Sequence, residues 1–157
     1  MGNLKYFLGL EIARSSTGIF LSQRHYTLTL LEDTGFLASK QATVPMKPRV
    51  RLTNNGDLLQ DMTQYRQLIG RLLYLTISRP DIIFVVHKLS QYVSRPRTFH
   101  LTAVHHLLKY LKSSLGQDVF FPTNSSCRLR AFSDADWAAC IDTRKSVTGF
   151  YILLGML

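Results

Sequence analysis

The chain has 157 residues, 46% of them hydrophobic, which is enough for one ordinary domain or two small ones and argues against disorder. Nineteen Lys and Arg against ten Asp and Glu give a formal charge of +9 and a pI of about 9.9, which suits a polyanion such as nucleic acid better than a membrane surface. The sequence has no signal peptide and no bilayer-length apolar run, and Cys127 and Cys140 are predicted to be reduced thiols, so we expect a cytoplasmic or nuclear protein.

Residues 4–23 have the pattern of a β-hairpin. An apolar-rich arm over Lys5–Ala13 leads into a Ser-Ser-Thr-Gly turn, and Ile19–Leu21 forms the return arm. A hairpin of two strands is marginal in water. It should therefore pack against a sheet or a helix.

The pattern then changes to that of a helix. Gln23–Thr34 has apolar residues at helical spacing, with Ser22 as the predicted N-cap and Gly35 as the residue that ends the helix. Residues 43–61 contain two prolines, an Asn-Asn-Gly turn and little periodicity. This segment is predicted to be a linker or long loop, and it is the best candidate for a boundary between subdomains.

Three further helices are predicted in the middle of the chain. One covers the periodic stretch after residue 61, the next runs over Pro80–Val93 until Arg95-Pro96 stops it, and the last runs over Thr98–Lys112. Their short connections imply antiparallel neighbours. The predicted buried positions of the first two are Tyr65, Leu68, Ile69, Leu72, Leu73 and Thr76, then Ile83, Val86, Leu89 and Val93.

The strand period returns after Gly116. Strands are predicted over Asp118–Phe121, Leu129–Ser133 and Thr148–Leu154. The fold class is therefore α+β, with an N-terminal β-hairpin, central antiparallel helices and a C-terminal β-sheet. The predicted segments are 1–42, 43–61 as the linker, 62–116 as a helical unit, and 117–157.

Asp134 and Asp136 are the first candidates for chemistry. Two carboxylates two residues apart on a strand point to the same face and could share a metal ion. A two-metal hydrolytic site needs more carboxylates than these two. The alternative is that both are exposed residues at a strand end and turn.

His100, His105 and His106 lack a metal-binding spacing, so structural or solvent-facing roles are predicted for them.

Basic residues interleaved with aromatic ones form several clusters along the chain. Such clusters suit phosphate contacts supplemented by stacking, although each one could also be an ordinary solvated face. Combined with the net charge, they favour a surface for nucleic acid. The clusters are Arg24–Tyr26; Lys47, Arg49 and Arg51; Arg95, Arg97, Phe99 and His100; Lys109, Tyr110 and Lys112; and Arg128, Arg130, Arg144 and Lys145.

Five long segments of the chain are specific enough to compare with known families: LKYFLGLEIARSSTGIFLSQRHYTLTLLEDTGF, YRQLIGRLLYLTISRPDI, LSQYVSRPRTFH, LLKYLKSSLG and LRAFSDADWAACIDTRKSVTGFY. In this order they resemble the C-terminal part of the Pol polyprotein of copia-type retrotransposons. The resemblance implies that residues 1–42 hold the primer-grip hairpin of a reverse transcriptase and a first thumb-like helix. Gly2, Asn3 and Leu4 would lie at the hairpin tip. The helices between Gln23 and Lys112 would be the thumb and connection, which hold a template-primer duplex through its backbone.

The segment SDADWA is similar to the opening strand of the family's ribonuclease H domain, so 117–157 would be a truncated start of that domain. Asp134 would be its first metal-binding carboxylate, and Asp136 falls on a further family position. The complete parent enzyme is an RNA-directed DNA polymerase with a ribonuclease H that uses Mg²⁺. This chain lacks the fingers, the palm, both polymerase aspartates and the later ribonuclease H carboxylates. No complete catalytic site and no cofactor are therefore expected, and Asp134 is a vestigial metal ligand.

The predicted function is a non-catalytic part of a retrotransposon polyprotein that binds nucleic acid, such as a template-primer or an RNA/DNA hybrid, without sequence preference. The alternatives are an interaction or assembly piece that needs the missing palm or a partner chain, and a non-functional remnant. No membrane contact is expected. The predicted contact residues are Gly2, Asn3, Leu4, Arg24, Lys47, Arg49, Arg51, Arg66, Arg71, Arg95, Arg97, Lys109 and Lys112.

Overall fold

In the part of the chain that the structure describes, four α-helices combine with antiparallel β-structure, so the predicted α+β class is confirmed. The computed structural model describes residues 5–48, 50, 52–53, 55–124, 129–136 and 147–154. Its elements are β1 (Tyr6–Phe7), β2 (Leu10–Arg14), β3 (Gly18–Ser22), α1 (Arg24–Asp33), α2 (Met62–Leu75), a 3₁₀ turn (Pro80–Ile82), α3 (Ile83–Ser90), α4 (Thr98–Ser113), β4 (Val119–Pro122), β5 (Leu129–Asp136) and β6 (Val147–Leu154). Cys127 and Cys140 lie outside the described residues.

The predicted continuous arm over Lys5–Ala13 is wrong, because the chain reverses within it. Leu8 and Gly9 both have positive φ angles, 50° and 78°, and Phe7 pairs with Leu10 across them. Two such residues make the tight hairpin turn whose twist matches the strands on either side. The carbonyl oxygen of Leu8 accepts a hydrogen bond from the hydroxyl of Tyr74 on α2, which holds this turn against the helices.

A four-stranded antiparallel sheet in the order β1-β2-β3-β4 joins two distant parts of the chain. Gly18 of β3 pairs with Pro122 of β4, and Leu21 pairs with Val119. This pairing supplies the support that the N-terminal hairpin was predicted to need. The sheet joins residues from both sides of the predicted boundary at 116/117, while the division into four segments stays a prediction.

Helix α1 agrees with its predicted extent to within one residue at each end, but its first turn is capped differently. The carboxylate of Glu11 on β2 accepts the backbone N–H of His25 at 2.6 Å, whereas Ser22 reaches only the N–H of Arg24 at 3.2 Å. At the other end Gly35 has a φ of 72°, and the N–H groups of Gly35 and Phe36 bond back to the last turn. This is the glycine-terminated helix end that the sequence predicts.

The hydrophobic core lies among the four helices. The hydroxyl of Tyr65 on α2 donates to the carbonyl oxygen of Leu89 on α3 at 2.8 Å, so the buried ring also joins the two helices. Leu73, predicted to be buried, is 38% exposed, while Leu75 is fully buried in its place. The fully buried apolar residues of this core are Leu30, Leu31, Tyr65, Leu72, Leu75, Ile82, Val86, Leu89, Val104, Leu107, Leu108 and Leu111.

The predicted linker packs on the helices where the structure describes it. Leu52 is 2% exposed, and its carbonyl oxygen accepts a hydrogen bond from the hydroxyl of Tyr92 at 2.9 Å. Leu58 forms an isolated antiparallel bridge with Arg97 immediately before α4. Met46 and Val50 also pack against the core. These residues form an ordered loop that lines one side of α4.

Strands β5 and β6 form a second, two-stranded sheet, and β6 lies beside α3. Both strands are longer than predicted. Of the side chains described there, Leu129, Phe132, Phe150 and Ile152 are all more than half exposed. None of the helices in the described part of the chain is long and apolar enough to cross a membrane.

Candidate nucleic-acid interface

The predicted contact residues fall into two sets. Gly2, Asn3, Leu4, Arg49 and Arg51 lie outside the described residues. The others are placed by the structure: Arg24, Lys47, Arg66, Arg71, Arg95, Arg97, Lys109 and Lys112.

Three of the eight placed residues donate hydrogen bonds to backbone carbonyl groups. Arg66 bonds to the oxygen of Val93 at 2.9 Å, just beyond the end of α3. Arg97 reaches the oxygen of Gly56 at 2.8 Å. Because a carbonyl group is neutral, these arginines remain formally positive while they hold loops in place.

Lys112 and Arg71 also have intramolecular partners. The Nζ of Lys112 donates to the carbonyl oxygen of Ser39 at 2.6 Å, so this side chain fixes the segment after α1. Arg71 forms an ion pair with Asp33 at 2.8 Å and lies 5.9 Å from the ring centre of Tyr26. Of the eight residues, Arg71 alone pairs with a carboxylate within the described part of the chain.

Lys47 and Lys109 are brought together from the loop and from α4. Both line a cavity of about 490 Å³ whose lining comes from α4, from Phe36 just after α1 and from Met46, Lys47 and Val50. No acidic residue is among the described residues that line it. The lining residues are Phe36, Met46, Lys47, Val50, Phe99, Thr102, Ala103, His105, His106 and Lys109.

Apolar, aromatic and positively charged side chains all line the cavity. Burial, and to a lesser extent the charge of Lys109, lower the pKa of His105, so this imidazole is neutral near pH 7. Its ring lies 4.8 Å from that of Phe36. The Nε2 of His106 donates to the carbonyl oxygen of Val44 at 3.0 Å, which ties the loop to α4. Lys47 and Lys109 therefore carry formal positive charge among the described lining residues.

Arg24 and Arg95 are exposed at other positions. Arg24 begins α1, and Arg95 lies in the short connection between α3 and α4. No contact in the described structure brings either residue into the cavity. They are additional surface cations rather than parts of one site.

Sequence reasoning missed Arg79, which is a structural cation with only 3% of its surface exposed. Its guanidinium forms two bonds to Asp81, at 2.9 and 2.7 Å, and two to the backbone oxygen and hydroxyl of Ser114. Tyr110 donates to the same carboxylate at 2.8 Å. Burial alone would raise the pKa of Asp81, but the bonds and charge of Arg79, with the bond from Tyr110, outweigh it and lower the pKa. The Arg-Pro-Asp spacing was the available signal.

His100 has no exposed surface and takes part in the start of α4. Its Nδ1 accepts the backbone N–H of Arg97 at 2.9 Å, and its ring stacks on Tyr92 at 3.9 Å. Burial lowers its pKa to about 4, the charge of Arg97 acts in the same direction, and the nearby Thr53 carbonyl opposes both only partly. The neutral ring is therefore a structural element.

The two candidate metal ligands lie on β5, where the backbone register places Asp134 opposite Gly149 and Asp136 opposite Val147. Their side chains are outside what the structure describes. Among the residues that it does describe, no group of three or more His, Cys, Asp or Glu could hold a metal ion.

Comparison with known proteins identifies the relatives of this chain. It is 41% identical over 97% of its length to the retrovirus-related Pol polyprotein from transposon RE1 of Arabidopsis thaliana, and 40% identical over 98% to that from transposon RE2. The corresponding polyprotein from transposon TNT 1-94 of Nicotiana tabacum is 30% identical over 96% of the chain. The chain spans only 10%, 11% and 12% of these three relatives.

Neither a protein-family model nor a solved structure matches the sequence. The relationship therefore depends on the sequence identity to the transposon polyproteins, which extends over nearly the whole of this chain. It agrees with the family that the sequence segments resemble. This chain belongs to the Pol polyproteins of copia-type retrotransposons, of which it forms a part.

Proposed function

We propose that the basic residues of this chain bind nucleic acid through its phosphate backbone. The chain would do so as part of the reverse transcriptase and ribonuclease H region of a copia-type Pol polyprotein. The observation that carries this proposal is the convergence of Lys47 and Lys109 on one cavity with no acidic lining residue among those described. Phosphate contacts by Lys and Arg give affinity without reading sequence. A polymerase region needs that property, because it must hold every template.

The wider charge distribution supports the same function. Of the eight placed basic residues, Arg71 is the one paired with a described carboxylate, so the others contribute to a positive potential even where they hold carbonyl groups. The formal charge of the whole chain is +9. Such a field attracts a polyanion over distances of about one Debye length, roughly 10 Å at 0.1 M salt.

We propose no hydrolysis of the bound nucleic acid by the carboxylates of this chain alone. A two-metal site needs several carboxylates to neutralise two divalent ions about 4 Å apart. The chain has ten acidic residues, and its two glutamates, Glu11 and Glu32, lie on β2 and α1. Glu11 is already bonded to the N-terminus of α1. We infer that Asp134 needs carboxylates from other parts of a polyprotein for Mg²⁺-dependent hydrolysis.

Fluorescence anisotropy with a labelled, blunt RNA/DNA hybrid tests the proposal. Four phosphate contacts, such as Arg24, Lys47, Arg95 and Lys109 could make, predict that affinity falls about 100-fold between 50 and 200 mM salt. The hybrid should remain intact in Mg²⁺. Undetectable or salt-independent binding would refute the binding proposal. Cleavage that requires Mg²⁺ and disappears in Asp134→Asn would refute its non-catalytic part.

A second candidate function is assembly with another part of the polyprotein. Tyr6, Phe7 and Leu8 at the sheet edge are 65%, 53% and 75% exposed. The second sheet also exposes Phe132 and Phe150 among its described side chains. Contiguous exposed apolar residues of this kind are typical of surfaces that another protein covers. We propose that upstream polyprotein residues cover the edge at β1.

Light scattering of the purified chain, alone and coexpressed with the upstream polyprotein segment, tests this second function. Self-association that the added segment suppresses would support it. The double change Tyr6→Ser/Leu8→Ser should reduce both self-association and capture of that segment. A chain that is monomeric by itself and does not bind the upstream segment would refute the assembly function.

A further inference from the structure

The cavity that α4 lines with Met46, Lys47 and Val50 has a composition suited to more than phosphate. Phe36 and Phe99 line it together with Met46, and the two lysines lie on the same lining. We propose that it takes up an unpaired base at a single-stranded end of nucleic acid, with Lys47 and Lys109 contacting the flanking phosphates. This inference rests on the proposed function and names the ligand of one of its sites.

The aromatic side chains of the cavity are held in place by contacts within the protein. Phe36 is the third residue after α1; its backbone N–H bonds to the carbonyl oxygen of Leu31 at 2.8 Å, and its ring lies 4.8 Å from that of His105. The ring of Phe99 lies edge-on to His100 at 4.3 Å and close to Gly56. Both rings therefore lose little conformational freedom when a base stacks on them, which favours binding.

The size and charge of the cavity favour a nucleotide over other occupants. Ligand pockets of small molecules are roughly 300 to 1,000 Å³, and this cavity, at about 490 Å³, falls within that range. A wholly apolar ligand would leave the two lysines without a counter-charge. A simple anion would leave the aromatic wall uncovered. A base with its phosphates satisfies both, as in proteins that bind single strands by stacking along a positive groove.

The cavity also differs from a surface that grips a duplex. Bases within a duplex are stacked on one another, and their faces cannot reach a concave aromatic wall. An unpaired end has free base faces. The structure therefore predicts tighter binding of a hybrid with a single-stranded overhang than of a blunt hybrid with the same duplex.

The test uses the full chain and two labelled probes, a blunt RNA/DNA hybrid and the same hybrid with an overhang of five unpaired nucleotides. One stacked base is worth roughly 1–3 kcal/mol, so the overhang should tighten binding at least about 5-fold. Phe36→Leu/Phe99→Leu should abolish this gain, so that the variant binds the overhang probe no more tightly than the blunt one. The control Phe7→Leu/Phe20→Leu, with rings on the first sheet, should retain the gain.

The charge component has its own matched pair of variants. Lys47→Gln/Lys109→Gln should make the slope of log affinity against log salt concentration shallower for the overhang probe, by the equivalent of about two phosphate contacts. Arg14→Gln/Lys88→Gln removes the same formal charge from β2 and α3 and should not change the overhang gain. Equal salt dependence in both double variants would overturn the assignment of the two lysines.

A spectroscopic measurement on the unaltered protein covers the case in which a variant does not fold. 2-Aminopurine placed in the overhang should lose fluorescence on binding, because stacking on an aromatic ring quenches it. Unchanged fluorescence, or equal affinity for both probes, would overturn the base-binding proposal while blunt-hybrid binding keeps the proposed function. Failure of both probes to bind would refute the base-binding proposal and the proposed function together. Displacement of the overhang probe by an equally charged polyglutamate peptide as well as by unlabelled oligonucleotide would also overturn it.

Discussion

Acidification should destabilise this protein through His100. The ring is fully buried and neutral, with its Nδ1 accepting the Arg97 N–H, and its pKa falls from the ordinary value of 6.5 to about 4. The unfolded chain therefore binds a proton at this histidine at a pH where the folded chain does not. Stability is complete above pH 6.5 and is lost as the pH falls from 6.5 towards 4. Each pH unit in this window removes about 1.4 kcal/mol, so the loss is roughly 2 kcal/mol by pH 5 and about 3 kcal/mol by pH 4.

The measurement is urea unfolding, followed by circular dichroism, at pH values between 4 and 7.5. The variant His100→Gln is the direct comparison, because a glutamine oxygen at the third helical position can accept the same N–H without titrating. It should be less stable than the parent at pH 7, through lost stacking on Tyr92, but its stability should fall less on acidification. His25→Gln, which changes an exposed histidine on α1, is the matched control and should keep the full dependence.

Among the described residues, two other groups with a lowered pKa, His105 and Asp81, must be separated from His100. The pKa of His105 is also lowered by burial, so it adds a loss of the same sign, and His105→Gln measures that part. Asp81 has a lowered pKa, and its contribution is lost only as the pH falls below the ordinary carboxyl value of 3.8. If His100→Gln retained the parent's full dependence between pH 6.5 and 4, the buried neutral histidine could not be its cause.

Two further predictions concern backbone contact and buried charge. Gly18→Ala would place a Cβ atom 2.3 Å from the carbonyl oxygen of Phe121, so it should disrupt the β3–β4 pairing and lower the melting temperature. By contrast, a Cβ atom at Gly70, on the exposed side of α2, meets nothing within 4 Å. Gly70→Ala should therefore stabilise the folded protein by up to about 1 kcal/mol. Calorimetry of both variants is the measurement, and equal melting temperatures would contradict this reasoning. Arg79→Ala should cost roughly 2 kcal/mol in urea unfolding, because it removes the charge-assisted bonds of the guanidinium to Asp81 and Ser114, and a loss below about 0.5 kcal/mol would refute the structural role of Arg79.

The helices were predictable because their evidence is local. A repeat of 3.6 residues in apolar positions marks a helix whatever it packs against, and Gly35 marks the end of α1. The helix predicted over Pro80–Val93 is shorter in the structure, because it begins with a 3₁₀ turn and α3 ends at Ser90, before Pro96. The family relationship was also present in the sequence, since whole segments carry it. The errors occurred where a single residue decides geometry. Leu8 and Gly9 turn the predicted first arm into two strands, and nothing in the apolar pattern marks that turn.

The candidate site could be predicted only in part. Composition identified Lys47 and Lys109 as basic residues suited to phosphate, but it could not show that they share one cavity. It also could not distinguish them from Arg97 or Lys112, whose side chains bond to carbonyl groups of distant segments. Hydrogen-bond partners far apart along the chain leave no periodic signal.

The sequence alone therefore determined the α+β class, the approximate helices and the membership in the retrotransposon Pol family, because periodicity, capping residues and long family-specific segments are properties of neighbouring residues. Tertiary structure decided that β4 completes the N-terminal sheet and that Arg79 and His100 are buried. It also decided that Met46, Lys47 and Val50 meet α4 around a cavity with basic and aromatic lining residues. Each of these depends on contacts between residues far apart in the chain, and such contacts are fixed only when the core packs.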